Sequence, residues 1–347
     1  MMAAARPRIG IVGSGAIGSS VAADLIDAGH DVTVVDQWPE HVEKMRRDGL
    51  RITMPDLDLH VEVNANHICD LASIRPTFDV ALVCVKSYDT KWAAQLVEPY
   101  LADDGVLVGI QNSMNDDAHA EIVGRRRTVG CAIELSADIY EPGIVTRNTS
   151  RGGTWLTVGE LDGSVTVRVE MLAELLAAVA ATEVSTNIYG SKWTKLVANS
   201  MAMGPFGLLG LRNWEAARLP GMREISVRLG RESAAVGLAL GYELEPVFGL
   251  SAEEFAGGTD EVLLKALDTL SAHVGEHAVT ATVQDQRKGR RSEYQFITGL
   301  VVKKGSETGV ATPVNSAVLH IYDQIDRGQI EMAPDNLDRL KLLISEE

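Results

Sequence analysis

Residues 9–18 read Ile-Gly-Ile-Val-Gly-Ser-Gly-Ala-Ile-Gly, an apolar run that passes without a spacer into glycines 13, 15 and 18. Few backbone paths satisfy such a segment. Arg8 to Val12 reads as a buried strand, and Ala16 to Ala28, closed by Gly29, as a helix. Between them Gly13 permits a tight turn, Gly15 lets the backbone approach an anion, and Gly18 lets the helix pack closely on the strand. The first N–H groups of the helix have no intrahelical partner and favour a phosphate. A second strand, Asp31 to Val35, ends at Asp36, where a carboxylate can accept hydrogen bonds from a ribose. Gly13-Ser14-Gly15-Ala16-Ile17-Gly18 with Asp36 is therefore read as a dinucleotide-binding loop. A merely structural glycine turn accounts for none of this context.

The surrounding pattern extends the reading. His41 to Arg47 is a short helix, and Val80 to Val85 and Val106 to Ile110 are further buried strands. Thr128 to Ala132, Ile144 to Arg147 and Trp155 to Val158 follow as strands, with antiparallel pairs among them, and Val167 to Ala181 reads as a helix. From about Tyr189 helical periodicity dominates, broken at Gly204-Pro205, Pro220, Pro246, Gly257-Gly258, Gly305 and Pro313. The expected architecture is an α/β Rossmann domain with a doubly wound, mostly parallel sheet, followed by an all-α domain. The boundary is placed so that residues 1–186 bind the dinucleotide and residues 187–347 form the substrate and catalytic half.

Composition narrows the partners. A formal charge of −16 repels phosphate backbones, so nucleic acid is not expected. Met1 to Arg8 holds no long apolar segment, and the uncharged run Leu196 to Leu211 is too short to span a bilayer, so neither a signal peptide nor a membrane association is expected. Cys69, Cys84 and Cys131 share no metal-ligand spacing and are read as reduced thiols of a cytoplasmic protein. No metal site is expected.

In open α/β sheets ligands bind beyond the carboxyl ends of strands. Two such ends here carry polar groups, Lys86-Ser87-Tyr88 and Gln111-Asn112-Ser113-Met114-Asn115. A lysine there attracts phosphate, and an amide can bond ribose hydroxyls. Further on, Lys195 and Asn199 are four apart on one helix and share a face, with Trp193, Leu196 and Val197 supplying apolar surface. An ammonium held against apolar surface is a better proton donor near neutral pH. From spacing alone, however, the ordinary expectation is a solvated lysine. Glu293, after the basic run Arg287 to Arg291, likewise reads as part of a solvated face.

Taken together, these spacings resemble the ketopantoate reductase (2-dehydropantoate 2-reductase) family. The resemblance covers the Gly13 loop, Val85-Lys86 with Thr90, Gln111-Asn112-Ser113-Met114 and Glu141-Pro142-Gly143-Ile144-Val145. It continues through Trp193-x-Lys195-Leu196-x-x-Asn199, Val283-Gln284-Asp285, Gly289-x-x-x-Glu293 and Thr312-Pro313-x-Asn315. It implies an NAD(P)-dependent oxidoreductase that transfers hydride between nicotinamide and a 2-keto or 2-hydroxy compound. Lys195 would donate the proton and Glu293 would orient lysine, ribose or substrate. Asn112 would touch the nicotinamide ribose and substrate, and Asn199 would hold the substrate. The partner is thus a small keto or hydroxy compound, and a homodimer is compatible with the reading.

Departures from the family pattern also stand out. Ser113 replaces a usual glycine, Met203 a second substrate-binding asparagine, Ala281 a substrate-binding serine, and Tyr294-Gln295 the usual Ile-Asp. With Met203 lining the substrate position, two polar partners are lost, so a different, less polar substrate is the alternative to ketopantoate. A dinucleotide-sensing protein without turnover is a third possibility, disfavoured because it needs neither Lys195 nor Glu293. Asp36, with no basic residue directly after it, favours NAD over NADP.

Overall fold

β1 (Arg8–Val12) is buried at every residue after Arg8, because it has strand neighbours on both sides and helices over both faces. It pairs in parallel with β2 (Asp31–Asp36) and with β6 (Phe78–Val83). The computed structural model describes residues 6–245, 260–274 and 278–345. Contacts divide the chain into two compact units, Met1–Ile188 and Tyr189–Glu347.

The first unit is built on an eight-stranded sheet of order β12-β11-β8-β7-β6-β1-β2-β5. Its remaining strands are β5 (Asn64–His67), β7 (Leu101–Gly109), β8 (Thr128–Glu134), β11 (Trp155–Glu160) and β12 (Ala181–Val184). All its pairings are parallel except β8 with β11. Alternation along a strand sends neighbouring side chains to opposite faces. Val80 and Leu82 enter one apolar cluster with Val21, Ala22 and Leu25 of α1 (Ala16–Asp27) and Leu172 of α6 (Val167–Leu176). Ala81 and Val83 enter the other, with Ala93 and Ala94 of α4 (Thr90–Val97) and Val123 of α5 (Asp116–Val123).

A second sheet, of order β4-β3-β10-β9, comprises β3 (Leu50–Thr53), β4 (Asp58–Val61), β9 (Ala137–Glu141) and β10 (Ile144–Arg147). It lays Leu50, Ile52, Ile139 and Val145 into the cluster that contains α1. β10 of this sheet and α1 share a charged pair with almost no exposure. Arg147 is bonded to Asp24 at 2.5 Å, and their side chains are 0% and 1% exposed. Arg147 also donates to Thr154 Oγ1, and Arg151 reaches the other oxygen of Asp24 at 2.7 Å. This network joins α1 to the chain more than a hundred residues away.

The second unit is helical: α7 (Ile188–Gly207), α8 (Asn213–Ala217), α9 (Met222–Ala239), α10 (Asp260–Val274), α11 (Ala281–Arg287), α12 (Thr298–Thr308), α13 (Pro313–Asp326) and α14 (Asn336–Ser345). Thr312-Pro313-x-Asn315 has a capping function here. Glu232 of α9 accepts from the backbone N–H groups of Val314 and Asn315 at 2.8 and 2.9 Å and from Asn315 Nδ2 at 2.8 Å. It thereby satisfies orphan donors at the start of α13.

Several expectations are corrected. The Val80 strand stops at Val83 and the Val106 strand at Gly109, so Cys84, Val85 and Ile110 already belong to the loops. The helix expected through Ala181 ends at Leu176, and Ala181–Val184 forms β12 against β11, a pairing that outweighs the helix propensity of the alanines. α7 does not stop at Gly204-Pro205 but runs to Gly207 with Pro205 inside it. β3, β4, β5 and β9 are strands beyond those the sequence pattern indicates. The breaks read at Pro246 and Gly257-Gly258, and Met1 to Ala5, lie outside the described residues. Among the described residues no helix is long and apolar enough to cross a membrane, and no cluster of His, Cys, Asp or Glu is placed to hold a metal ion.

Candidate active site

The strand order of the larger sheet reverses between β1 and β6: β2 and β5 lie to one side, β7 and β8 to the other. Such a switch point opens a crevice at the carboxyl ends of the strands. The Gly13 loop leaves β1 there, beside the loop that leaves β6, and Cys84 N donates to Val12 O at 2.8 Å.

The three glycines have distinct reasons to lack a side chain. Gly13 has φ +92°, and a Cβ on it would lie 2.7 Å from Val85. A Cβ on Gly18 would lie 2.0 Å from the carbonyl oxygen of Gly13, so α1 approaches the strand only because that atom is missing. A Cβ on Gly15 would meet nothing within 4 Å. That open space lies at the N-terminus of α1, which has no side-chain cap and no acidic residue in its first turn. The N–H groups of Ala16, Ile17 and Gly18 are the orphan donors of this terminus. A bare, donor-rich cradle of this kind fits a dinucleotide pyrophosphate.

The structure brings Asp36 to the same loop. One carboxylate oxygen accepts from the backbone N–H of Ser14 and, at 2.9 Å, from its hydroxyl; the other accepts from Trp38 N at 2.8 Å. Asp36 is only 9% exposed. Arg46 and Arg47 are engaged elsewhere: Arg46 bonds Ala65 O, Glu43 and Asp70, and Arg47 bonds Asp48.

The loops carrying Lys86 and Asn112 are knitted together. Gln111 Nε2 donates to Val85 O at 2.9 Å and to Thr90 Oγ1 at 3.0 Å, and its Oε1 lies 2.8 Å from His119 Nε2. Asn115 Nδ2 donates to Asn112 O at 2.8 Å and Ser87 Oγ at 3.1 Å. Gln111 and Asn115 therefore hold the loops in place; Lys86 and Asn112, both half-buried, lie on these same two loops.

In the second unit Lys195 and Asn199 lie on α7 and are 8% and 4% exposed, while Glu293 is 5% exposed. The solvated faces expected from spacing are thus not what the chain builds. Tyr322 connects the end of α7 to the Glu293 segment. Its hydroxyl lies 2.9 Å from the carbonyl oxygens of both Met203 and Gly204, and its ring stacks on Tyr294 with centroids 4.8 Å apart. Gly207 allows this grip, because a Cβ there would lie 2.0 Å from the Tyr322 hydroxyl. Burial, reinforced by a hydrogen bond to Asp323, pushes the Tyr294 phenol up to about 12. Met203 and Ala281 are half-buried. No short sequence window pointed to Tyr322 as the residue joining these segments.

Three kinds of similarity to known proteins bear on this arrangement. Residues 9–163 match the family described as Ketopantoate reductase PanE/ApbA, and residues 187–326 match its C-terminal counterpart. The chain belongs to the ketopantoate reductase family. It is accordingly an NAD(P)-dependent oxidoreductase. A 2-dehydropantoate 2-reductase from Archaeoglobus fulgidus is 28% identical over 325 residues, covering 92% of this chain and 98% of that protein. A crystal structure of a PanE/ApbA family ketopantoate reductase from Ralstonia eutropha superposes with a TM-score of 0.77 at 26% identity, covering 93% of this chain and all of the other. D-mandelate dehydrogenase, in a ternary structure with NADH and anilino(oxo)acetate, superposes with a TM-score of 0.81 at 19% identity over 93% of this chain and all of the other.

Against this family the departures acquire structural meaning. Tyr294 fills the interior and stacks on Tyr322, so its replacement of the usual isoleucine is a packing change. Ser113, where the family usually has glycine, sits at φ +72°. A left-handed residue with a Cβ carries strain of about 1–2 kcal/mol. Glycine would remove it but adds about 0.4–1 kcal/mol of unfolded-state freedom. Ser113→Gly is therefore expected to raise the melting temperature by about 1–3 °C. A lower melting temperature would show that the serine side chain's own contacts outweigh the strain.

Proposed function

We propose that this enzyme reduces a 2-keto acid to the 2-hydroxy acid, with Lys195 as proton donor. The observation that carries the reading is the burial of Lys195, Asn199 and Glu293 in one helical unit, since such residues are ordinarily solvated. A reduced nicotinamide, when bound, would supply the hydride that the keto carbon receives. As that C–H bond forms, the C=O π pair moves to oxygen, and the Lys195 ammonium gives that oxygen a proton and is left as the amine. Asn199, on the same face of α7, hydrogen-bonds the substrate, and Glu293 orients the lysine and substrate. Asn112 meets the nicotinamide ribose, Lys86 attracts phosphate, and residues 13–18 hold the pyrophosphate.

The relatives named 2-dehydropantoate 2-reductase favour ketopantoate as the substrate. Met203 and Ala281 favour a second reading, a less polar 2-keto acid; D-mandelate dehydrogenase, similar in fold, has been seen in a ternary structure with NADH and the aryl-bearing anilino(oxo)acetate. The deciding measurement is loss of reduced-cofactor absorbance with ketopantoate and with aryl or alkyl 2-keto acids. A kcat/KM for ketopantoate at or above about 10⁴ M⁻¹s⁻¹ would remove the second reading. Turnover of no 2-keto acid would overturn both.

NADH is the cofactor expected to serve better. Asp36 is held at the loop by Ser14 and Trp38, and a carboxylate there repels a 2′-phosphate by on the order of 1–4 kcal/mol. The two arginines of the following helix are spent on other partners. Comparing kcat/KM for the two reduced cofactors checks this, and a clear NADPH advantage would refute it.

A further inference from the structure

The motif Glu141-Pro142-Gly143-Ile144-Val145 and the buried His41 have no part in the chemistry above, yet they meet. Gly143, at φ +75° in the turn between β9 and β10, donates its backbone N–H to His41 Nδ1 at 2.9 Å. An Nδ1 that accepts a hydrogen bond carries no proton, so the neutral ring bears its hydrogen on Nε2. Nε2 lies 3.3 Å from Ser19 Oγ, and the Ser19 hydroxyl lies 2.7 Å from Ser14 O, to which it donates. The directions therefore agree along the whole chain: Gly143 N–H to His41, His41 Nε2–H to Ser19, Ser19 O–H to the carbonyl of Ser14.

The endpoint is the peptide unit that joins Ser14 to Gly15. In a trans peptide the C=O and N–H point in opposite directions. Holding Ser14 O toward Ser19 thus turns the Gly15 N–H away from Ser19. Ser14's N–H and hydroxyl are meanwhile held by Asp36. His41 and Ser19 are both 0% exposed, so water does not replace a lost partner. The Trp38 ring stacks on His41 with centroids 5.2 Å apart, tying the imidazole to the segment whose backbone holds Asp36.

We propose that His41 is a positioning residue for the dinucleotide: through Ser19 it sets the orientation of the Ser14–Gly15 peptide, and the Gly143 turn, 102 residues away, fixes His41 in the required tautomer. This rests on the reading of residues 13–18 as the dinucleotide loop. His41 touches neither cofactor nor substrate, and its effect is on cofactor affinity.

Two near-isosteres separate the two ends of the relay. In His41→Gln the side-chain amide nitrogen takes the place of Nε2, keeping the donor to Ser19 while losing the acceptor for Gly143. In His41→Asn the amide oxygen takes the place of Nδ1, keeping the Gly143 anchor while losing the donor to Ser19. Dissociation constants of the full-length protein for NADH and NADPH, measured by cofactor fluorescence without substrate, give the readout, with the melting temperature of each variant beside them. The expected result is a Kd roughly 3- to 10-fold weaker in His41→Asn and in Ser19→Ala, the effect of one hydrogen bond. His41→Gln should stay within about twofold of the native protein, and Ser19→Ala/His41→Asn should be no weaker than either single change. Native affinity in His41→Asn and Ser19→Ala would overturn the proposal. So would losses that follow melting temperature equally in His41→Asn and His41→Gln, because a purely structural histidine predicts that pattern. If the native protein binds neither cofactor, the loop reading fails and the proposal with it.

Discussion

Lys195→Ala is expected to lower kcat by about 10²–10⁴-fold while leaving the affinity for the reduced dinucleotide nearly unchanged. The magnitude is that of a general acid removed from a transition state in which oxygen becomes an alkoxide. The unchanged affinity follows because the lysine lies on α7, whereas the loop proposed to hold the pyrophosphate is built from residues 13–18. Single-turnover reduction with saturating cofactor, beside a cofactor titration of the same variant, separates the two quantities. A kcat near that of the native enzyme would mean that another group donates the proton. A fall in cofactor affinity equal to the fall in kcat would mean that Lys195 serves binding instead.

The second large effect is on stability. Asp24→Ala leaves Arg147, whose side chain is 0% exposed, without its charged partner. Breaking a buried pair in this way costs about 3–5 kcal/mol, because the remaining charge is desolvated and uncompensated. Burial pushes the Asp24 carboxyl above its usual range, while Arg147 and Arg151 pull it back. Removing both charges together, as in Asp24→Leu with Arg147→Met, should recover most of the loss. Arg151 then turns to solvent and Asp27, since its side chain is 35% exposed. Urea unfolding followed by circular dichroism gives the comparison. A loss below about 1 kcal/mol in the single variant would show that water reaches Arg147, as it reaches the partners of surface ion pairs.

How much of the fold is legible in the sequence follows the range of the forces involved. β1, α1 and β2 were placed to within a residue or so because an apolar run, a glycine turn and a helix stop act over a few neighbours. β3, β4 and β5 are four residues each, and β5 reads Asn-Ala-Asn-His, with no apolar pattern to announce it. It is a strand because β2 offers it a parallel partner. Gln111 shows the same dependence on distant partners: its amide nitrogen braces the chain after β6 through Val85 O and Thr90 Oγ1.

From sequence alone came the glycine loop between β1 and α1, the α/β then all-α order, the family, and the candidate residues Asp36, Lys195, Asn199 and Glu293. Each of these depends on residue type at short, fixed spacing. Tertiary structure alone decided that Lys195 and Glu293 are buried rather than solvated, that Arg147 pairs with Asp24, and that His41 receives Gly143 and reaches Ser14 through Ser19. The physical reason is common to all three. Burial and hydrogen-bond pairing depend on which distant segments close over a side chain, and residues 102 or 123 positions apart carry no local trace of each other.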